Sequence, residues 1–196
     1  MGTYGYISII AMLCYGFLLL MFLTAKRNKI INSFLVVLTG LLCWTGGSAF
    51  MRAQLWPGCE FWYQVSLLGI LLLPYAYYRF ILAFGGVRNG SVGRIYLVIM
   101  LICFWVNAQF GVFLESPKMI EKRGVQTFVY EINPSIIVFF IPAGLFLIHL
   151  FVILVRICKE NPTMKVQYEP VMMGVLVLFF GNAFLGIPFF SGFPID

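Results

Sequence analysis

Polar side chains are scarce in this sequence, and the few that stand in apolar surroundings have the most chemistry to offer. Trp44 and Ser48 lie in CWTGGSAF, Trp62 and Ser66 in FWYQVS, Trp105, Asn107 and Gln109 in FWVNAQF, and Asn182 in FFGNAF. Amides and hydroxyls are costly in hydrocarbon unless they are paired or face a wet cavity. Next to tryptophans they suit an outward-opening pocket with aromatic walls, built to recognise a small, largely apolar molecule. The same residue types also bond helix to helix, and Gly46 and Gly47 permit close backbone approach, so packing is the competing account. Bond-making chemistry finds no support. The chain has no GxSxG, no Walker loop, no HExxH and no carboxylate pair inside an apolar stretch, so no catalytic residue is expected. His149, the single histidine, lies in LFLIHLFVI without an acidic neighbour. A helix-to-helix hydrogen bond suits it better than a proton relay. Cys14, Cys43, Cys59, Cys103 and Cys158 show no metal-ligand spacing, so neither metal nor cofactor is expected.

The elements that carry these residues are set by the solvent. Hydrophobic residues make up 62% of the chain and charged ones 10%, against about 45–50% and about 25% in a soluble domain. Such a chain lives in a bilayer, where a spanning helix needs roughly 20 apolar residues. Six segments qualify: residues 5–24, 34–53, 61–84, 95–113, 134–155 and 171–190. The expectation is a single all-α polytopic membrane domain over residues 1–196. The first segment has no basic residue before it and no small-residue cleavage pattern after it, so it reads as an anchor rather than a signal peptide.

Lysine and arginine orient the bundle, because cytoplasmic loops carry the excess. Lys26, Arg27 and Lys29 follow the first segment, Arg88 and Arg94 the third, and Arg156, Lys159 and Lys165 the fifth. On the other side Arg52, Lys118, Lys122 and Arg123 are accompanied by Glu60, Glu115, Glu121 and Glu131. The N-terminus is therefore expected outside, and with six spans the C-terminus too. The net charge of +6 reflects this bias and the pull of anionic headgroups; no basic patch suggests nucleic acid.

Within the third segment, Pro74 removes an N–H and kinks the helix, and the Ser66 hydroxyl is placed to serve nearby backbone. Arg79 lies one turn from the inner end, close enough to snorkel, and a polar gate is its second reading. Pro142 and His149 are the matching irregularities of the fifth segment. Loop 114–133 is outside. In it, Val125 to Ile132 is β-branched and aromatic and Lys122-Arg123-Gly124 supplies a turn, which predicts a short extracellular β-hairpin.

The stretches KRNKIINSFLVVLTGLLCW (26–44), LLGILLLPYAYYRFILAFGG (67–86), WVNAQFGVF (105–113) and FFGNAFLGIPFFSGFPID (179–196) together resemble the N-terminal seven-transmembrane sensor region of bacterial histidine kinases, found also on some diguanylate cyclases. The resemblance implies a sensory input domain in the bacterial inner membrane, commonly a homodimer, in which a small or lipid-like ligand shifts helix packing. Two departures stand out: six apolar segments rather than seven, and Gln109 where many relatives have a histidine. A non-catalytic membrane scaffold and a small transporter are the alternatives.

Overall fold

The computed structural model describes residues 3–87, 90–115, 117–122, 125–129 and 133–160, together with 166, 169, 170, 173 and 174. The chain divides into two compact units, Met1–Phe146 and Leu147–Asp196. Among the described residues, five helices are long and apolar enough to cross a membrane. They are α1 (Thr3–Leu23), α2 (Lys29–Arg52), α3 (Cys59–Phe84), α4 (Ser91–Phe110) and α5 (Ile137–Glu160), the last preceded by a 3₁₀ turn at Pro134–Ile136. Strands β1 (Lys118–Lys122) and β2 (Val125–Val129) pair antiparallel between α4 and α5, with Lys118 opposite Val129 and Lys122 opposite Val125. The sixth expected span, 171–190, carries Asn182 and lies outside the described residues except for 173 and 174.

Capping chemistry explains where the helices depart from the hydropathic boundaries. α2 begins at Lys29 rather than at 34, because the Asn28 side chain accepts the Ile31 N–H at 2.7 Å and caps the first turn. α4 ends at Phe110 rather than at 113. Gly111 turns left-handed at φ 59°, and its N–H closes on the Asn107 carbonyl at 2.8 Å. At its far end α5 runs on to Glu160, whose carboxylate meets Arg156 Nε at 2.8 Å one turn away.

The tightest packing is between α2 and α3. A Cβ added to Gly69 would lie 2.5 Å from the Trp44 nitrogen, and one on Gly47 would lie 2.6 Å from the Ser66 nitrogen. Bare backbone therefore meets bare backbone at two levels, as membrane helices with small residues allow. Between these levels Ser66 Oγ donates to the Trp44 carbonyl at 3.0 Å. The nearby backbone that this hydroxyl serves belongs to α2. Pro74 itself is buried within α3. Ser33, Thr39 and Thr45 return their hydroxyls to carbonyls four residues back in α2, so they need no outside partner.

α1 leans on α2 through Met12 against Gly46, Leu42 against Gly16 and an edge-on contact of Phe22 with Phe34. Its other flank leaves Ile7, Ile10, Leu13, Phe17 and Leu20 exposed, as lipid contact requires. α4 is held to α3 where the Tyr78 ring covers Gly93, at a place with no room for a Cβ. Phe146 completes this cluster, stacked on Tyr96 at 3.9 Å and tilted against Tyr78 at 5.2 Å.

Candidate functional site

Asn107 is one of two buried polar or charged side chains among the described residues, and it is 5% exposed. It lies in the last turn of α4, where the chain must reverse without a membrane-soluble partner for its backbone. The side chain supplies that partner. Oδ1 accepts the N–H groups of Phe113 and Leu114, each at 2.9 Å, and Nδ2 donates to the Leu114 carbonyl at 3.1 Å. Three of the four hydrogen bonds a primary amide can make are thereby used on one turn.

Other elements grip the same turn. Tyr63 of α3 donates its hydroxyl to the Leu114 carbonyl at 3.3 Å. From the far side of the hairpin, Asn133 donates through Nδ2 to the Gly111 carbonyl at 3.1 Å and through its N–H to the Phe113 carbonyl at 3.2 Å. Ser135 Oγ donates to the Val112 carbonyl. Residues 111–114 are therefore fastened to α3, to α4 and to the approach to α5.

Beneath the turn lies a cavity of about 50 Å³, lined by Leu67 and Leu71 of α3, Cys103, Phe104 and Asn107 of α4, Phe113 and Leu114 of the turn, and Ile136. A drug-sized ligand needs roughly 300–1,000 Å³, whereas a single water occupies about 10–15 Å³ on this measure. The space suits a very small apolar molecule. The one amide in its wall is already spent on the turn, so an occupant would be held by shape and dispersion.

The sequence-nominated residues are distributed more widely than one pocket. Trp44, Ser48, Trp62 and Ser66 are half-buried along the α2–α3 pair. The Trp62 indole donates to the carbonyls of Leu55 and Trp56 at 3.2 and 3.3 Å, and its ring meets Phe50 edge-on at 4.6 Å. Trp105 is 61% exposed and Gln109 is exposed, on the outer flank of α4. Arg79 is exposed and Pro142 half-buried. His149 is half-buried in the second unit. Of the nominated residues that are described, only Asn107 lines the cavity, and Asn182 lies outside the described residues. Sequence reasoning passed over Tyr63, Asn133 and Ser135, whose roles depend on a turn that Gly111 creates. A signal was available: an asparagine four residues before a glycine, at the end of an apolar helix.

These features define a polytopic α-helical membrane domain with a pinned turn at one end. The chain belongs to the family described as the N-terminal 7TM region of histidine kinase, whose model matches residues 7–196. That family is the membrane-embedded input region of histidine kinases and not their catalytic part. No curated protein and no solved structure matches the chain.

Proposed function

We propose that this chain receives a small or lipophilic signal for a histidine-kinase-type receptor and passes it on by helix repacking. The observation that carries the reading is the cavity under the Asn107-pinned turn. Matter entering there presses on a turn bonded to α3, α4 and the approach to α5, so occupancy and helix spacing are coupled. A ligand shifts such an equilibrium only by binding the two packings unequally. A cavity that opens beneath a turn shared by three elements meets that condition if the two packings give it different volumes. In this reading the hairpin and the pinned turn face outside, the membrane is the bacterial inner membrane, and a homodimer carries the output.

Two of the four residues of the scaffold alternative, Gly46 and Gly47, pack within the chain against Met12 of α1 and the α3 backbone, and the other two, Asn182 and Gly186, lie outside the described residues. Xenon is the probe that tests the site, since it is apolar and small enough for the cavity. With the chain in nanodiscs and its methyl groups isotopically labelled, the Leu67, Leu71 and Ile136 signals are expected to shift saturably with xenon pressure. Cys103→Phe, which fills the space, should abolish that saturation. Shifts that grow linearly at all lipid-facing methyls, with no saturating set, would sink the site.

A further inference from the structure

The turn between α2 and α3 displays an exposed indole. Trp56 is 89% exposed, and Leu55 and Phe61 beside it are 45% and 50% exposed. The backbone of the turn is held by hydrogen bonds. Leu55 N–H closes on the Phe50 carbonyl at 3.2 Å, Gln54 N–H on that of Met51 at 3.1 Å, and the Trp62 indole bonds the Leu55 and Trp56 carbonyls. Residues 53–58, AQLWPG, carry no charge. At the last turn of α2, Arg52 has its Nε buried without a partner, and it makes no ion pair among the described residues.

Helix length fixes the depth of this turn. α2 has 24 residues and α3 has 26, about 36 and 39 Å at 1.5 Å per residue. The hydrocarbon is about 30 Å thick and each headgroup layer roughly 5–7 Å. With Lys29 at one boundary, the far end of α2 emerges by about 6 Å, which puts residues 53–58 in the headgroup layer. An indole there has its ring in the acyl boundary and its N–H among polar headgroups. At the same depth the Arg52 guanidinium makes no ion pair among the described residues, and a lipid phosphate is the counter-ion that the headgroup layer offers.

We propose that the α2–α3 turn is a phospholipid-binding anchor, in which Trp56, with Leu55 and Phe61, enters the headgroup–acyl boundary and Arg52 takes a lipid phosphate. Helix length sets the turn at the depth of the headgroups, so the bilayer is the occupant that the Trp56 ring meets there. The anchor holds the glycine-packed α2–α3 pair at a set depth, against which α4 can shift. Which leaflet is engaged follows from the proposed topology; the lipid contact does not depend on it.

The test uses the full chain in nanodiscs of phosphatidylcholine brominated near the glycerol end of its acyl chains. The emission of Trp56 is read as the difference between wild type and Trp56→Phe, an exposed change that leaves the core intact. The brominated lipid is expected to remove most of that emission while aqueous acrylamide removes little, and Arg52→Gln is expected to shift it to longer wavelength. Strong acrylamide quenching without bromine quenching would overturn the proposal and leave the turn as a docking site for a water-soluble protein. Emission insensitive to both quenchers would overturn it too, since the indole would then be covered by protein.

Discussion

Asn107 shows how one buried amide can decide a local fold. Asn107→Ala leaves the N–H groups of Phe113 and Leu114 and the Nδ2 bond to Leu114 unmade. An unpaired buried donor costs about 1–3 kcal/mol, and nearby water can satisfy part of the loss. The expected destabilisation is about 2–3 kcal/mol by that reckoning, read as a lower unfolding midpoint in detergent. Gln109→Ala, two residues on and exposed, is the control, expected to stay within about 0.5 kcal/mol. Equal midpoints for the two variants would mean that the turn is held by Tyr63, Asn133 and Ser135 alone. Sequence reading singled out Asn107 because an amide in an apolar run must have a reason. The reason itself was not legible, since its partners are backbone groups of a turn set by the left-handed Gly111. Trp105 and Gln109 are expected at the site on the same depth argument and are exposed; depth along a helix does not fix which way a side chain faces.

At the scale of elements, hydropathy located the helices and small residues decided their pairing. The α2–α3 contact depends on Gly47 and Gly69 having no side chain, because the atoms a Cβ would meet are backbone and cannot rotate away. Gly69→Ala must push the two helices apart or bend one of them. An overpacked core loses about 1–3 kcal/mol, and the Ser66 bond to the Trp44 carbonyl lengthens with the separation. Gly144→Ala is the matched control, since a Cβ there meets nothing within 4 Å and alanine improves helix propensity by up to about 1 kcal/mol. Opposite signs in thermal unfolding are expected; equal destabilisation would show that the close approach of α2 and α3 is not what glycine serves. From the sequence, WTGGS read equally well as the wall of a pocket or as a packing face. Composition does not distinguish these, because both require small and weakly polar residues. Helix boundaries were likewise missed where a single capping group set them, as at Asn28 and Gly111.

The molecule as a whole is oriented by its charges, and that orientation decides whether the pinned turn and the cavity meet external signals. Lys26 lies in the loop after α1 and Lys118 at the start of β1, and both are exposed. Three helices, α2, α3 and α4, separate them in the chain, so if all three span the membrane the two lysines lie on opposite sides of it. The excess of Lys26, Arg27 and Lys29 over their acidic neighbours predicts that Lys26 faces the cytoplasm. In a background with the five cysteines replaced, Lys118→Cys is expected to react with a membrane-impermeant maleimide in intact bacterial cells. Lys26→Cys should react only in inverted vesicles. The reverse pattern would turn the cavity towards the cytoplasm and end the external-signal reading while leaving the helix count intact. Labelling of both positions from one side would strike deeper. It would mean that one of α2, α3 or α4 does not cross the bilayer, and the coupling of the turn at 111–114 to helix spacing would lose its basis.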